Sequence, residues 1–140
     1  MPRLYYPKIC VIFHRYVTVV VGNALSITHD AAQDFAHYAY QTVSADGDTF
    51  TIPFHLSAGA YTLNVLGVRI SSGGKVDWYI DGTLAASGQD WYGAGTTRNI
   101  IKTAVVTVYG SGQHVLRGVV NGLTAPSTGY DIRLSAIAFT

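Results

Sequence analysis

The chain is predicted to fold as an all-β protein: an antiparallel β-sandwich of jelly-roll type with eight or nine strands and an extended N-terminal arm. Three observations predict this. All eight acidic residues are Asp, Lys occurs only three times, and 15 of the 140 residues are Gly. Asp favours turns and caps, where Glu and Lys would favour helix. From residue 49 onward, short runs rich in Val, Thr and Tyr recur about every ten residues, the spacing of sandwiches. Turns that need positive φ close two of these runs, at Asp81-Gly82 and Asn121-Gly122.

Residues 1–28 form a section of their own, and residues 29–140 form the sandwich. Lys8–Val21 is apolar at both parities, with Ile9, Val11, Phe13, Val17 and Val19 on one side and Cys10, Ile12 and Val20 on the other. A strand of this kind needs cover on both faces. It is either a central strand or an arm packed against a neighbouring subunit, and the assembly contact is assigned to Ile9, Val11, Phe13, Val17, Val19 and Val21. Cys10, between Ile9 and Val11, is expected to be packed and inert. The stretch has the outline of a signal peptide, but His14 and Arg15 split it into pieces too short for that role. It is also too short and too charged to span a bilayer.

One or two helical turns are expected around Asp30–Ala36, and a strand near Tyr38–Val43. Thr49–Leu56 alternates: Phe50, Ile52, Phe54 and Leu56 face inward, with Pro53 at a sheet edge or with its missing donor towards solvent. Tyr61, Leu63 and Val65 continue the core, and Gly67 marks a bulge where the apolar parity changes. Val76, Trp78 and Ile80 face inward, and Asn99–Tyr109, Gln113–Val120 and Tyr130–Phe139 complete the strands.

The net charge of +1 and the 12% content of charged residues fall well below the ~25% of ordinary soluble domains. A surface so poor in charge is expected to be covered in part by another protein. There is no basic stripe, so nucleic acid is not an expected partner. Catalysis is not expected: Ser111 and Ser135 lack a nucleophile-elbow context, and no two of the eight Asp sit in a glycosidase-like motif. No cofactor and no metal are implied. His29, Asp30, Asp34 and His37 form the densest set of possible ligands, but their spacing fits no metal signature and Asp30 reads equally as a cap. Asp46-Gly47-Asp48 reads as an Asx-type turn. Gln89–Gly95 is the loop of most interest. Its Asp90, Trp91 and Tyr92 form a candidate sugar platform, two aromatic faces beside a hydrogen-bonding carboxylate. The alternative is that Trp91 or Tyr92 folds back over the end of the sandwich.

Gly59-x-Tyr61-x-Leu63-x-Val65-x-Gly67, Val76-Asp-x-Tyr-Ile-Asp-Gly82, His114-Val-Leu-Arg and Ser127-Thr-Gly129-Tyr-x-Ile132-x-Leu-Ser-x-Ile137 together resemble jelly-roll domains of tailed-bacteriophage virion proteins. Such domains occur in tail fibres, head fibres and capsid decoration proteins. The same pattern is similar to carbohydrate-binding modules of the β-sandwich type. The resemblance spans roughly residues 45–139. It implies a non-enzymatic structural protein located on the virion, docked through its N-terminal segment on capsid or tail proteins, and homo-oligomeric, with a trimer favoured. The alternative that it implies is a lectin-like module for host-surface glycans.

Overall fold

The structure, a computed structural model, describes residues 9–34, 37–41 and 45–140. Among these, eleven strands build two sheets. They are β1 (Ile9–Ile12), β2 (Thr18–Val21), β3 (Leu25–His29), β4 (His37–Gln41), β5 (Thr49–Leu56), β6 (Gly59–Arg69), β7 (Lys75–Ile80), β8 (Thr83–Asp90), β9 (Thr97–Val108), β10 (Gly112–Val120) and β11 (Arg133–Phe139). The first sheet runs β3-β4-β11-β6-β9, with β1 also on β11, and the second runs β2-β5-β10-β7-β8. Every ladder between these strands is antiparallel. The chain is therefore an all-β, two-sheet sandwich, as the alternation predicts.

The N-terminal section departs from the expectation of an extended arm. β1 pairs with β11, from Ile9↔Phe139 to Ile12↔Ala136. The single helical turn α1 (Phe13–Tyr16) then crosses to the other sheet, where β2 lies on β5 with Thr18 opposite Thr51. The run is apolar at both parities because it serves two sheets in succession, and this split raises the strand count above nine. Val11 is buried and Val17 packs against the core, while Val19 is half-buried and Val21 exposed. Two of the six residues assigned to assembly thus belong to the chain's own interior. The side chains of Ile9 and Phe13, like residues 1–8, lie outside the described residues. Cys10 is exposed, contrary to its apolar sequence neighbours.

The core follows the period-2 pattern. Phe50, Ile52, Phe54 and Leu56 are all buried, as are Leu63, Val65, Val76, Trp78, Ile80, Leu116, Ile137 and Phe139. β2 stops at Thr51, so Pro53 faces an unpaired edge and its missing N–H costs nothing. Gly118 lies beneath the ring of Phe50, where a Cβ would collide with the ring carbons. The bulge expected at Gly67 is present as register shifts in both neighbouring ladders. A side chain there would meet the carbonyl oxygen of Arg133 at 2.5 Å and the Trp91 ring at 2.9 Å. Asp81 and Gly82 both have positive φ, 48° and 84°, the requirement of a tight two-residue hairpin between β7 and β8. Asn121-Gly122 closes no hairpin; Gly122 alone has positive φ, and the chain leaves for a longer loop.

Residues 30–34 form a turn closed by the Gln33 amide donating to the Asp30 carbonyl, and residues 35–36 of the expected helical turns lie outside the described residues. The turn lies across the first sheet. The buried Gln33 side chain donates to Ser135 Oγ (3.0 Å) and accepts from the Asn99 amide (2.8 Å). Beside it, Tyr38, Val68 and Ile70 form a second, smaller apolar cluster.

Candidate functional site

The predicted platform lies at the end of the sandwich where β6 stops and β7, β9 and β11 begin. Trp91 is 0% exposed and belongs to the main core. Its amide donates to Gly74 O, and its carbonyl accepts from the Ile70 amide. Its indole N–H donates to Gln89 Oε1 at 3.2 Å, the same oxygen that accepts from Trp78 Nε1 at 3.0 Å. Trp91 therefore cannot stack on a sugar, and the platform reading is corrected: it folds inward. Asp90 is committed as well, accepting from the Tyr92 amide (2.9 Å) and from Thr124 Oγ1 (2.7 Å). Of the three residues, Asp90 and Tyr92 are partly exposed and Trp91 is not. The surrounding loops are tied together by the Asp131 amide donating to Ser72 O and by Ser127 Oγ donating to Gly73 O.

The acidic residues of the other candidate sites, Asp46, Asp48 and Asp30, are also occupied. Asp46 Oδ1 accepts from the Gly122 amide and Asp48 Oδ2 from the Ala45 amide, so this Asp-Gly-Asp turn is structural. Asp30 pairs with Arg98 at 2.7 Å, and that hydrogen bond holds its carboxyl below the usual carboxylate range. His29 and His37 face each other edge to face, their centroids 5.0 Å apart. No group of three metal-ligating side chains occurs among the described residues.

A groove of about 470 Å³ opens on the other flank, where α1 crosses between the sheets. It is lined by Cys10, Val11, Tyr16, Pro53, Phe54, His55 and Gln113. The volume lies within the ~300–1,000 Å³ of small-ligand sites, and the lining is mostly apolar with a few polar groups, as such sites require. Tyr16 is 55% exposed and offers a ring face; His55 and Gln113 are paired across β5 and β10 and offer hydrogen-bonding groups. Partial burial pushes the Cys10 thiol above its ordinary value, which keeps it protonated at neutral pH. In the sequence, Tyr16 was hidden inside an apolar run. The signal that could have found it is His14-Arg15, a polar break that frees the next residue from the strand.

From the groove, the outward face of the second sheet continues through Pro53 opposite Val115 and Thr51 opposite Arg117, with Tyr79 next to Arg117 on β7. The Arg117 guanidinium lies over the Tyr79 ring, 4.5 Å from its centroid.

No family model matches the chain, and no curated protein matches it. Solved structures do. A xanthan lyase from Paenibacillus superposes over 99% of this chain with a TM-score of 0.80 and 16% identity, although the chain spans only 14% of that protein. Two single-module structures match over nearly their whole length. One is a family 35 carbohydrate-binding module from Paenibacillus barcinonensis (TM-score 0.69, 15% identity, 94% of this chain and 98% of that one). The other is the carbohydrate-binding module CBM6cm-2 of Cellvibrio mixtus lichenase 5A, in complex with cellotriose (TM-score 0.69, 15% identity, 96% and 98%). At such identities the likeness is one of fold: this chain has the β-sandwich architecture of these carbohydrate-binding modules.

Proposed function

We propose that the chain is a non-catalytic glycan-binding module and that the groove beside α1 is where a sugar docks. The observation that carries this reading is the exposed Tyr16 ring at the mouth of an apolar groove, with His55 and Gln113 beside it. A pyranose has one apolar face and a rim of hydroxyls, and an aromatic face next to polar groups matches both. The match to whole carbohydrate-binding modules supports the same class. On a virion, the location that the sequence resemblance implies, the groove would hold a host-surface glycan. Docking of residues 1–28 on capsid or tail proteins draws no support from Val11 and Val17, which are already packed inside.

Affinity electrophoresis through gels containing neutral and acidic soluble polysaccharides tests the reading. At least one polysaccharide should retard the protein, and Tyr16→Ala should remove the retardation without changing the melting temperature. Folded wild-type protein that migrates freely through every gel would overturn it.

A further inference from the structure

Arg117 is, among the described residues, a cation without a counter-charge on the outward face of the second sheet. Among the described residues its side chain makes no hydrogen bond and has no carboxylate within 4.0 Å, and its Nε, like those of Arg69 and Arg133, is shielded from solvent without an acceptor. The guanidinium's two outer nitrogens are therefore the donors that a ligand can reach. Its only contact of note is the Tyr79 ring, which holds the guanidinium flat and limits its rotamers.

The carboxylates that could have neutralised it are turned elsewhere. Asp77 and Asp81 flank Tyr79 on the chain, two positions to either side. Asp77 accepts from Asn121 Nδ2 and from the Gly88 amide, each at 2.7 Å. Asp81 accepts from the Val115 amide at 2.9 Å and lies 2.6 Å from His114 Nδ1. With both acids held by other donors, the fork of Arg117 is left for a ligand. Thr51, directly opposite on β5, adds a hydroxyl to the same row. The row lies four residues along the strand from the His55–Gln113 pair, about 13 Å at a strand's rise, which is the reach of a short oligosaccharide leaving the groove.

We infer that Arg117, seated on Tyr79, is a carboxylate subsite, so that the module selects acidic saccharides, those carrying a uronic acid or another sugar carboxylate. This rests on the glycan-binding reading above and extends it to a ligand class. A guanidinium presents two parallel N–H donors that match a carboxylate bidentately, and a neutral hydroxymethyl group cannot accept both.

The test compares oligogalacturonate with its methyl ester by isothermal titration calorimetry, using the full chain, Arg117→Gln and Tyr16→Ala. The free acid should bind at least tenfold more tightly than the ester. Arg117→Gln should lose that preference while keeping its binding to the ester and its melting temperature. The acid's affinity should fall with added salt, and the ester's should not. Equal affinities for acid and ester, or an Arg117→Gln protein that still prefers the acid, would overturn the subsite while leaving glycan binding in place. Absence of binding to both, together with free migration on the polysaccharide gels, would remove the glycan reading itself.

Discussion

His114 Nδ1 lies 2.6 Å from Asp81 Oδ2, and the other ring nitrogen of the same histidine lies 3.2 Å from the carbonyl oxygen of Leu56. Both partners are acceptors, so the ring satisfies both only as the imidazolium. The Asp81 hydrogen bond is the main reason the His114 pKa is raised above its ordinary 6.5, with burial opposing it. The same bond lowers Asp81 below 3.8. The pair joins the β7–β8 hairpin to the start of β10.

The pH dependence follows from both signs. A raised histidine contributes stability that is complete below about pH 6.5 and is lost as pH rises through its folded value. A lowered Asp contributes stability that is complete above about pH 4 and is lost as pH falls through its folded value. The difference in melting temperature between wild type and His114→Gln should therefore be largest between about pH 4 and 6.5 and shrink on both sides. A difference that stays constant from pH 4 to 9 would show that the imidazolium is not what holds the clasp.

Trp91→Ala should behave as a core mutation. Emptying a fully buried indole costs about 3–5 kcal/mol, so the variant should unfold at markedly lower denaturant. Gln89→Leu should be destabilising by a separate route, because it strips the shared acceptor from two buried indole N–H groups at a cost of about 1–3 kcal/mol each. Chemical denaturation followed by tryptophan fluorescence reports both.

Gly118→Ala tests the packing of the second sheet. The methyl group would overlap the Phe50 ring, and overpacking of this kind costs about 1–3 kcal/mol. Phe50→Leu in the same chain should recover part of the loss. Recovery would show that the clash, and not strand propensity, is responsible.

Deleting residues 1–22 should destabilise the sandwich by about 3 kcal/mol or more, since it removes the buried Val11 and the ladders on β11 and β5. The truncated protein should show a lower melting temperature and concentration-dependent association through the uncovered strand edges. A truncated protein as stable as the full chain would mean that β1 and β2 contribute nothing to the fold.

Cys10 offers a chemical probe of the groove. Its exposed but protonated thiol should react slowly with N-ethylmaleimide at pH 7 and faster at higher pH. A bound glycan should protect it, read as a fall in the labelling rate by mass spectrometry. Labelling that is indifferent to saturating glycan would place the sugar elsewhere on the molecule.

The parts of the fold legible in the sequence were those decided locally. Alternation over Thr49–Leu56, positive φ at Asp81-Gly82 and the parity change at Gly67 each follow from the conformational limits of a few neighbouring residues. The N-terminal section reads in the sequence as one strand needing cover on both faces, either within the sandwich or against a neighbour, because its parity pools across α1, which joins strands belonging to different sheets. For Trp91 the sequence leaves two places open, an exposed platform and a fold back over the sandwich end, and the second is found. A glycine-rich neighbourhood reads as an exposed loop, whereas the indole is drawn inward by backbone bonds to Gly74 and Ile70, some twenty residues earlier. The proposed roles of Tyr16 and Arg117 depend on the register that sets them on one flank and face. Neither has a motif around it, because a surface for stacking and pairing needs no fixed spacing along the chain.

The ladder between Ile9 and Phe139 also bears on how the molecule is made. β1 has its partner about 130 residues further along the chain, so it waits for that stretch to be made before its ladder can form. During that interval Ile9–Ile12 is an unpaired apolar stretch in a nascent chain. Slower growth temperatures and chaperone supply should therefore raise the yield of soluble product more than codon choice does.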